Sequence, residues 1–258
     1  MRRWRKAAAV LMAGALAVAA VSGCAKKQDP KEIYSAAVEK NSALDSVDMD
    51  VTMKMAMTAD EESMDMEVSS NTKMDQSDKE HVKFITASSV AMDGMNMETT
   101  VFYDYMEAMG QKMKYPMDLE SLTAQIQESV GSTTLPVESL DTVEVKKDGD
   151  NQILTFTANP EKMNDYLGQV MGAMGDVSQV SGLNMTINSA DGEYTIGKDG
   201  YYTDMKMNLD LSMESQGASV GMILDITGTV HQPGQPVEIT LPDTADYVEI
   251  DPALLGAS

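Results

Sequence analysis

The sequence has one cysteine, one tryptophan, three phenylalanines and two histidines among 258 residues. A single cysteine cannot form an intramolecular disulfide or supply the paired thiolates of a structural zinc site. The sequence also lacks a G-x-S-x-G, an H-E-x-x-H and a P-loop motif, which are the common short signatures of hydrolases, zinc proteases and nucleotide-binding enzymes. We therefore expect no enzymatic activity, no catalytic residue, no metal and no cofactor.

Basic residues are scarce as well. The chain has 19 Lys and Arg against 41 Asp and Glu, a net charge of −22. The acidic residues are spread along the chain, which indicates a solvated surface rather than a disordered acidic tail. Nucleic-acid binding needs a positively charged surface, so this class of partner is excluded. The same charge repels anionic lipid headgroups.

The N-terminus has the pattern of a targeting signal. Arg2, Arg3, Arg5 and Lys6 precede a run of fifteen mostly small apolar residues at positions 7–21. A membrane-spanning helix needs about 20 apolar residues, so this run is too short for one. Residues 1–23 are therefore predicted to be a signal peptide. Two alternatives are a plain secretory signal followed by an unrelated cysteine, and an uncleaved anchor.

The sequence Val21-Ser22-Gly23-Cys24 resembles the lipobox of bacterial lipoproteins. The resemblance implies that Cys24 receives a diacylglycerol and becomes the N-terminus after cleavage. Removal of the signal would leave 15 basic residues against 41 acidic ones, a net charge of −26. Two acyl chains are sufficient for a stable anchor. We therefore expect a lipid-anchored protein outside the cytoplasm, on the outer face of a Gram-positive membrane.

The rest of the chain is predicted to be a short tether, residues 24–29, followed by a single domain, residues 30–258. Asp29 and Pro30 predict a helix start, and two more helices are predicted at 118–131 and 159–175. Between the helices, apolar and polar residues alternate with the period of a β-strand. The alternation predicts about ten to eleven antiparallel strands, with turns at Asp93-Gly94 and Asp191-Gly192 and a last strand through Val237, Ile239 and Leu241.

This order of elements behind a lipobox resembles the LolA/LppX-type lipoprotein superfamily. It is most similar to uncharacterised lipoproteins of Gram-positive bacteria, which have strands like residues 202–207 and an ending like residues 237–242. The resemblance implies an α+β fold, in which one strongly curved antiparallel sheet forms an open half-barrel with about three helices on its concave face. It also implies that a lipid or another apolar molecule binds between the sheet and the helices.

The chain is rich in methionine, with 24 residues. In M-x-M on a strand both side chains lie on the same face, so simple core packing is one interpretation. A second is an adaptable apolar cavity, since methionine is flexible and polarisable. Its predicted lining residues are Met53, Met55, Met57, Met64, Met66, Met205, Met207 and Leu209. A third is Cu(I) binding by thioethers, which a solvent-exposed M-x-M pair would favour strongly.

Three functional hypotheses follow. The first is a monomeric carrier or binder of lipid. The second is a structural or protein-interaction lipoprotein whose methionine-rich core is filled, and the third is copper or oxidant buffering. His81 and His231 lie in polar sequence and are predicted to be solvent-exposed. Four tyrosines near strand ends are predicted to cover the rim of the core or to line a ligand entrance: Tyr103, Tyr105, Tyr201 and Tyr202.

Overall fold

We analysed a computed structural model of the protein. The structure describes residues 29–59, 62–78, 82–102, 105–108, 110–114, 135–165, 183–215 and 218–249. Cys24 and the predicted signal peptide lie outside these ranges. So do His81, Tyr103 and the predicted helix at 118–131. No helix among the described residues is long and apolar enough to span a membrane.

Helix α1 covers Pro30–Ser42. It starts as predicted, because the Asp29 carboxylate accepts a hydrogen bond from the Lys31 backbone N–H at 2.9 Å and Pro30 occupies the first turn. The helix is attached to the sheet at both ends. Lys31 Nζ donates to the Leu140 carbonyl at 2.7 Å, and Asn41 Oδ1 accepts from the Tyr202 backbone N–H at 3.1 Å. These bonds fix α1 across the C-terminal half of the sheet.

The strands form a single sheet. Their bounds are β1 Ser46–Ala59, β2 Glu62–Asp75, β3 Lys83–Met92, β4 Met95–Phe102, β5 Tyr105–Ala108, β6 Gln111–Lys114, β7 Leu140–Asp148, β8 Asn151–Ala158, β9 Leu183–Ile196, β10 Tyr202–Ser215, β11 Ala218–Val230 and β12 Val248–Glu249. The sheet order is β12-β6-β5-β4-β3-β2-β1-β11-β10-β9-β8-β7. Every pairing is antiparallel except β12 with β6. Pairing of β11 with β1 joins the two halves of the chain.

The prediction of one open curved antiparallel sheet is confirmed in outline, and its details differ. The described residues form twelve strands, more than the ten to eleven predicted. Two of the three predicted helices begin within the described residues: α1, and one that begins at residue 160. The remaining one, predicted at 118–131, lies outside them. A short 3₁₀ turn at Val137–Ser139 precedes β7.

The predicted turn at Asp191-Gly192 is wrong, because both residues lie inside the continuous strand β9. Gly192 pairs with Phe156 on one side and with Met207 on the other. A Cβ at Gly192 would lie 2.5 Å from Phe156 Cζ and 2.7 Å from the Lys206 carbonyl oxygen. The glycine therefore provides room for an aromatic ring within a strand, which is a known alternative to a turn.

The predicted last strand through Val237, Ile239 and Leu241 is also wrong, since residues 236–244 are irregular. The chain instead continues past β11 to β12, which pairs in parallel with β6. Tyr247 then packs edge-on against Phe102 and Tyr105, with ring centroids 5.6 and 5.3 Å away. These aromatic contacts compensate for a pairing of only two residues.

The buried core lies beneath α1. Tyr34 of α1 contacts Phe156 and Tyr194, and Tyr194 stacks on Tyr202 with ring centroids 4.6 Å apart. Leu154, which is fully buried, belongs to the same cluster. Although aromatic residues are few in this chain, the centre of the core is aromatic. We call the side of the sheet that carries α1 the helix face.

Candidate ligand-binding face

The predicted lining residues all lie on the helix face, where the strand register brings them together. On β1, Met53, Met55 and Met57 pair with Val68, Met66 and Met64 of β2. Strand β11 lies between β1 and β10 and connects the two predicted groups. Ile226 pairs with both Met53 and Met207, and Leu224 pairs with both Met55 and Leu209. Residues paired directly across strands share a face, so the predicted set forms one continuous apolar surface.

All eight of these side chains are half-buried rather than buried. Five pack against the core cluster: Met55, Met57, Met205, Met207 and Leu209. Met53, Met64 and Met66 continue the same surface away from α1. The structure thus shows a gradient from a buried core under the helix to a partly open apolar surface beyond it. Whether this surface binds a ligand stays a prediction.

The apolar surface extends further than the sequence predicted. The pairing of β2 with β3 and of β3 with β4 extends this surface along two rows of residues. One row runs Val68, Val90 and Met97, and the other runs Met66, Met92 and Met95. Met95 is 61% exposed and Met97 is 45% exposed. The sequence signal was available, since the predicted Asp93-Gly94 turn pairs Met92 with Met95. We call the helix-face side chains of β1 to β4, β10 and β11 the methionine face.

The Met205 side chain packs against the backbone of Gly228 at one edge of the methionine face. A Cβ at Gly228 would lie 2.6 Å from Met205 Cε and 2.9 Å from its Cγ. The Met205 side chain therefore lies across the β11 backbone toward β1, where a larger residue at position 228 would exclude it. Gly228 is itself buried.

The opposite face of the same strands is polar. Lys54 pairs with Glu67 at 3.7 Å, and Lys206 pairs with Glu193 at 3.1 Å. His231 Nε2 lies 2.7 Å from Asp50 Oδ2 and, as predicted, is largely exposed. The hydrogen bond with His231 lowers the pKa of Asp50, with a further contribution from Asn71. The sheet therefore separates a charged surface from an apolar one.

Three buried tyrosine hydroxyl groups lie at the inner end of the helix face. The Tyr34 hydroxyl donates to the Leu135 carbonyl at 2.7 Å and also interacts with the Tyr194 hydroxyl, whereas the hydroxyl of Tyr202 has no hydrogen-bond partner among the described residues. Burial raises the pKa of Tyr194 to about 12, and it raises the pKa values of Tyr34 and Tyr202 further. All three phenols are therefore neutral at physiological pH.

The prediction for the four tyrosines is correct only in part. The prediction that Tyr202 covers the rim is wrong, because this residue lies in the core and is only 7% exposed. Its backbone bond to Asn41 holds it beneath α1, which the sequence could not reveal. Tyr201 does lie at the rim, where Lys40 Nζ is 4.3 Å from its ring centroid. Tyr105 stacks on Phe102 at 5.3 Å.

The open depressions lined by described residues include the following three. One of about 410 Å³ is lined by Lys54, Ala56 and Ile223 of the opposite face and also by Met66 and Met92. A second is next to Glu98 and Glu107. The third lies between α1 and the 3₁₀ turn. Among the described residues no group of three or more His, Cys, Asp or Glu could hold a metal ion.

The fold and the face together define a single-sheet domain with one charged and one apolar, methionine-rich surface. The model of DUF6612, a family of unknown function, matches residues 29–247. The chain therefore belongs to the DUF6612 family. No curated protein matches the chain.

Several solved structures align with most of the chain. LprF from Mycobacterium bovis is 13% identical, with 84% of this chain and 97% of LprF covered and a TM-score of 0.44. A putative outer membrane lipoprotein-sorting protein domain from Vibrio parahaemolyticus is 10% identical, with coverages of 78% and 92% and a TM-score of 0.22. A LolA superfamily protein from Nitrosomonas europaea is 11% identical, with coverages of 79% and 94% and a TM-score of 0.18.

The structural neighbours therefore include LolA-superfamily and lipoprotein-sorting proteins, the group that the element order resembles. Their TM-scores are all below 0.5. The relationship to Gram-positive lipoproteins stays a prediction.

Proposed function

We propose that this protein is a non-enzymatic, lipid-anchored protein of the cell envelope that binds an acyl-chain ligand on its methionine face. The observation that supports the proposal is the half-buried state of every predicted lining residue. A filled core would bury these side chains as completely as Leu154 and Tyr194 are buried. The eight side chains also form one contiguous patch, and a contiguous apolar patch that stays partly exposed is characteristic of a binding or interaction surface.

The dimensions of the face suit an elongated ligand. One row of paired residues runs Met207, Ile226, Met53, Val68, Val90 and Met97. It crosses six strands, or about 24 Å at the usual strand spacing of roughly 4.8 Å. Each methylene removed from water contributes about 0.8 kcal/mol, so an alkyl chain along this row would bind through many small contributions.

The composition of the face favours a ligand of variable shape. Methionine has three rotatable bonds and a polarisable sulfur, so it adapts to different partners more easily than branched or aromatic residues do. The rows of pairs that contain the predicted lining residues include no charged residue, and the nearest one, Glu62, lies one row further along, opposite Ala59. A ligand over the predicted lining would therefore be held by apolar contact.

The membrane anchor is proposed from the sequence alone. Cys24 would carry the diacylglycerol, and the net charge of the protein would keep the domain away from anionic headgroups. Replacement by Ser in a Cys24→Ser variant should release the protein from the membrane into the soluble fraction. Continued retention of the variant would contradict the anchor without bearing on ligand binding.

Native mass spectrometry of the full-length protein, extracted from the membrane of a Gram-positive host, tests the ligand. We expect a second mass population that exceeds the lipidated protein by one or more lipid masses and collapses on organic extraction. A single population at the mass of the lipidated protein, unchanged after incubation with fatty acid, would contradict the proposal. That outcome would favour the structural or protein-interaction alternative.

A further inference from the structure

Three methionines meet at the free end of the methionine face. Met92 and Met95 flank the two-residue turn between β3 and β4 and pair directly with each other. Met66 on β2 pairs with Met92. Directly paired residues have Cβ atoms about 4.5–5.5 Å apart, and each methionine side chain can turn its sulfur toward the other two. The three side chains therefore extend from one row across three adjacent strands, from which their thioethers can converge.

The turn holds this arrangement in place. Asp93 and Gly94 have φ values of +48° and +79°, the left-handed conformation that two-residue hairpin turns require. Aspartate and glycine are the residues that adopt this conformation most readily. Met92 and Met95 are thus held opposite each other by the backbone, and their pairing does not depend on any contact between the two side chains.

The methionine trio, Met66, Met92 and Met95, is more exposed to solvent than the methionines of the core. Met95 is 61% exposed and Met66 and Met92 are half-buried, whereas Met74 and Met163 are buried. Met97, two residues along β4 on the same face, is 45% exposed. An exposed M-x-M pair, Met95-Asn96-Met97, is therefore present, and solvent can reach both of its side chains.

The chemistry of such a trio is that of a soft-metal site. Thioether sulfur favours Cu(I) over hard divalent ions, and Cu(I) needs few ligands. The described residues offer no cluster of His, Cys, Asp or Glu that could compete for a harder ion. The net charge of −22 raises the local concentration of any cation.

We propose that Met66, Met92 and Met95 form a Cu(I) site of three thioether ligands at the tip of the β3–β4 hairpin. Met97 is close enough along the strand to replace one of them. The site does not depend on the acyl-chain function, because Met92 and Met95 lie at the open edge of the face and bind metal through sulfur rather than through apolar area.

The test is an anaerobic titration of the full chain with Cu(I) in competition with bicinchoninate, beside a Zn(II) control. The trio variant is Met92→Leu/Met95→Leu, and the matched control is Met49→Leu/Met213→Leu, which alters two half-buried methionines elsewhere in the sheet. Methionine and leucine differ little in volume, so both variants should fold. Circular dichroism and thermal melting check that they do.

We expect one Cu(I) per chain, a sulfur-only coordination shell by X-ray absorption, and much weaker Zn(II) binding. Loss of a residue that only supports a metal ligand costs about 10- to 100-fold in affinity, so loss of two ligands should weaken Cu(I) binding at least about 100-fold. The control variant should keep its affinity. Binding no tighter than Zn(II), oxygen or nitrogen ligation, or equal losses in both folded variants would overturn the proposal.

Discussion

The ring of Phe156 lies directly against the backbone of Gly192 on the neighbouring strand, where a Cβ would come within 2.5 Å of Phe156 Cζ. Phe156 also stacks on Tyr194, with ring centroids 5.4 Å apart. The glycine therefore fixes the position of an aromatic stack that joins α1 to the sheet. Because the Lys206 carbonyl lies 2.7 Å from the same Cβ position, the conflict cannot be relieved by moving the ring alone.

We expect Gly192→Ala to destabilise the protein by about 1–3 kcal/mol, the usual cost of overpacking a core. Urea unfolding followed by circular dichroism measures the change. Gly221→Ala is the control, since the nearest atom to its Cβ position is 3.9 Å away. Equal stability of the two variants would show that the Phe156 contact does not constrain β9.

The three buried tyrosines predict a loss of stability at high pH. Burial raises the pKa of Tyr194 from its ordinary value of 10.0 to about 12. A raised folded-state pKa means that stability is fully present below pH 10 and is lost as the pH rises through about 12, because the unfolded state releases its proton first. Tyrosinate absorbance and circular dichroism should therefore change together in this range. Ionisation of every tyrosine near pH 10 without unfolding would contradict the burial.

The same phenols predict opposite effects of phenylalanine substitution. Removing the unpaired hydroxyl of Tyr202 relieves a buried polar group, so Tyr202→Phe should leave stability unchanged or raise it. Tyr34→Phe should cost about 1 kcal/mol or more, because it leaves the Leu135 carbonyl without the bond it accepts at 2.7 Å. Denaturant midpoints of the two variants make the comparison. A larger loss for Tyr202→Phe than for Tyr34→Phe would show that the Tyr202 hydroxyl has a partner.

Tyr247 is predicted to hold the C-terminal strand β12 on the sheet. Its ring packs edge-on against Phe102, which is 1% exposed. We expect Tyr247→Ala to cost about 1–2 kcal/mol and to increase hydrogen exchange in β6 and β12, because each aromatic pair contributes about 0.5–1.5 kcal/mol beyond its buried area. Tyr247→Phe keeps the ring and loses only the contact of the hydroxyl with Glu107 at 3.5 Å. It should stay near wild type.

Period-two alternation was a reliable guide wherever a strand has one apolar and one polar face. It placed β1, β2, β10 and β11 correctly, and it placed the eight predicted lining residues on one face. It failed at Asp191-Gly192, where the glycine leaves space for the Phe156 ring within a strand and does not form a turn. It failed again at Val237, because an alternating run needs a free sheet edge to pair with, and sequence alone does not show where that edge is.

The exposure of the candidate face could not be predicted, since it depends on which strands lie beneath α1. The helix covers the aromatic residues of β8 to β10, so Tyr202 is buried while Met53 and Met66 stay half-exposed. The extension to Met92 and Met95 follows from the pairing of β2 with β3, which joins residues 66 and 92.

Binding of a fluorescent fatty acid tests the central claim most directly. The variant Met53→Gln/Met55→Gln places two amides on the methionine face, and Lys54→Gln/Ala56→Gln places two on the opposite face of the same strand. An amide that loses its water without a partner costs about 1–3 kcal/mol. We predict saturable binding to the wild type and the control, and at least about ten-fold weaker binding to the methionine-face variant. No saturable binding to the wild type, or equal binding to both variants, would contradict the account.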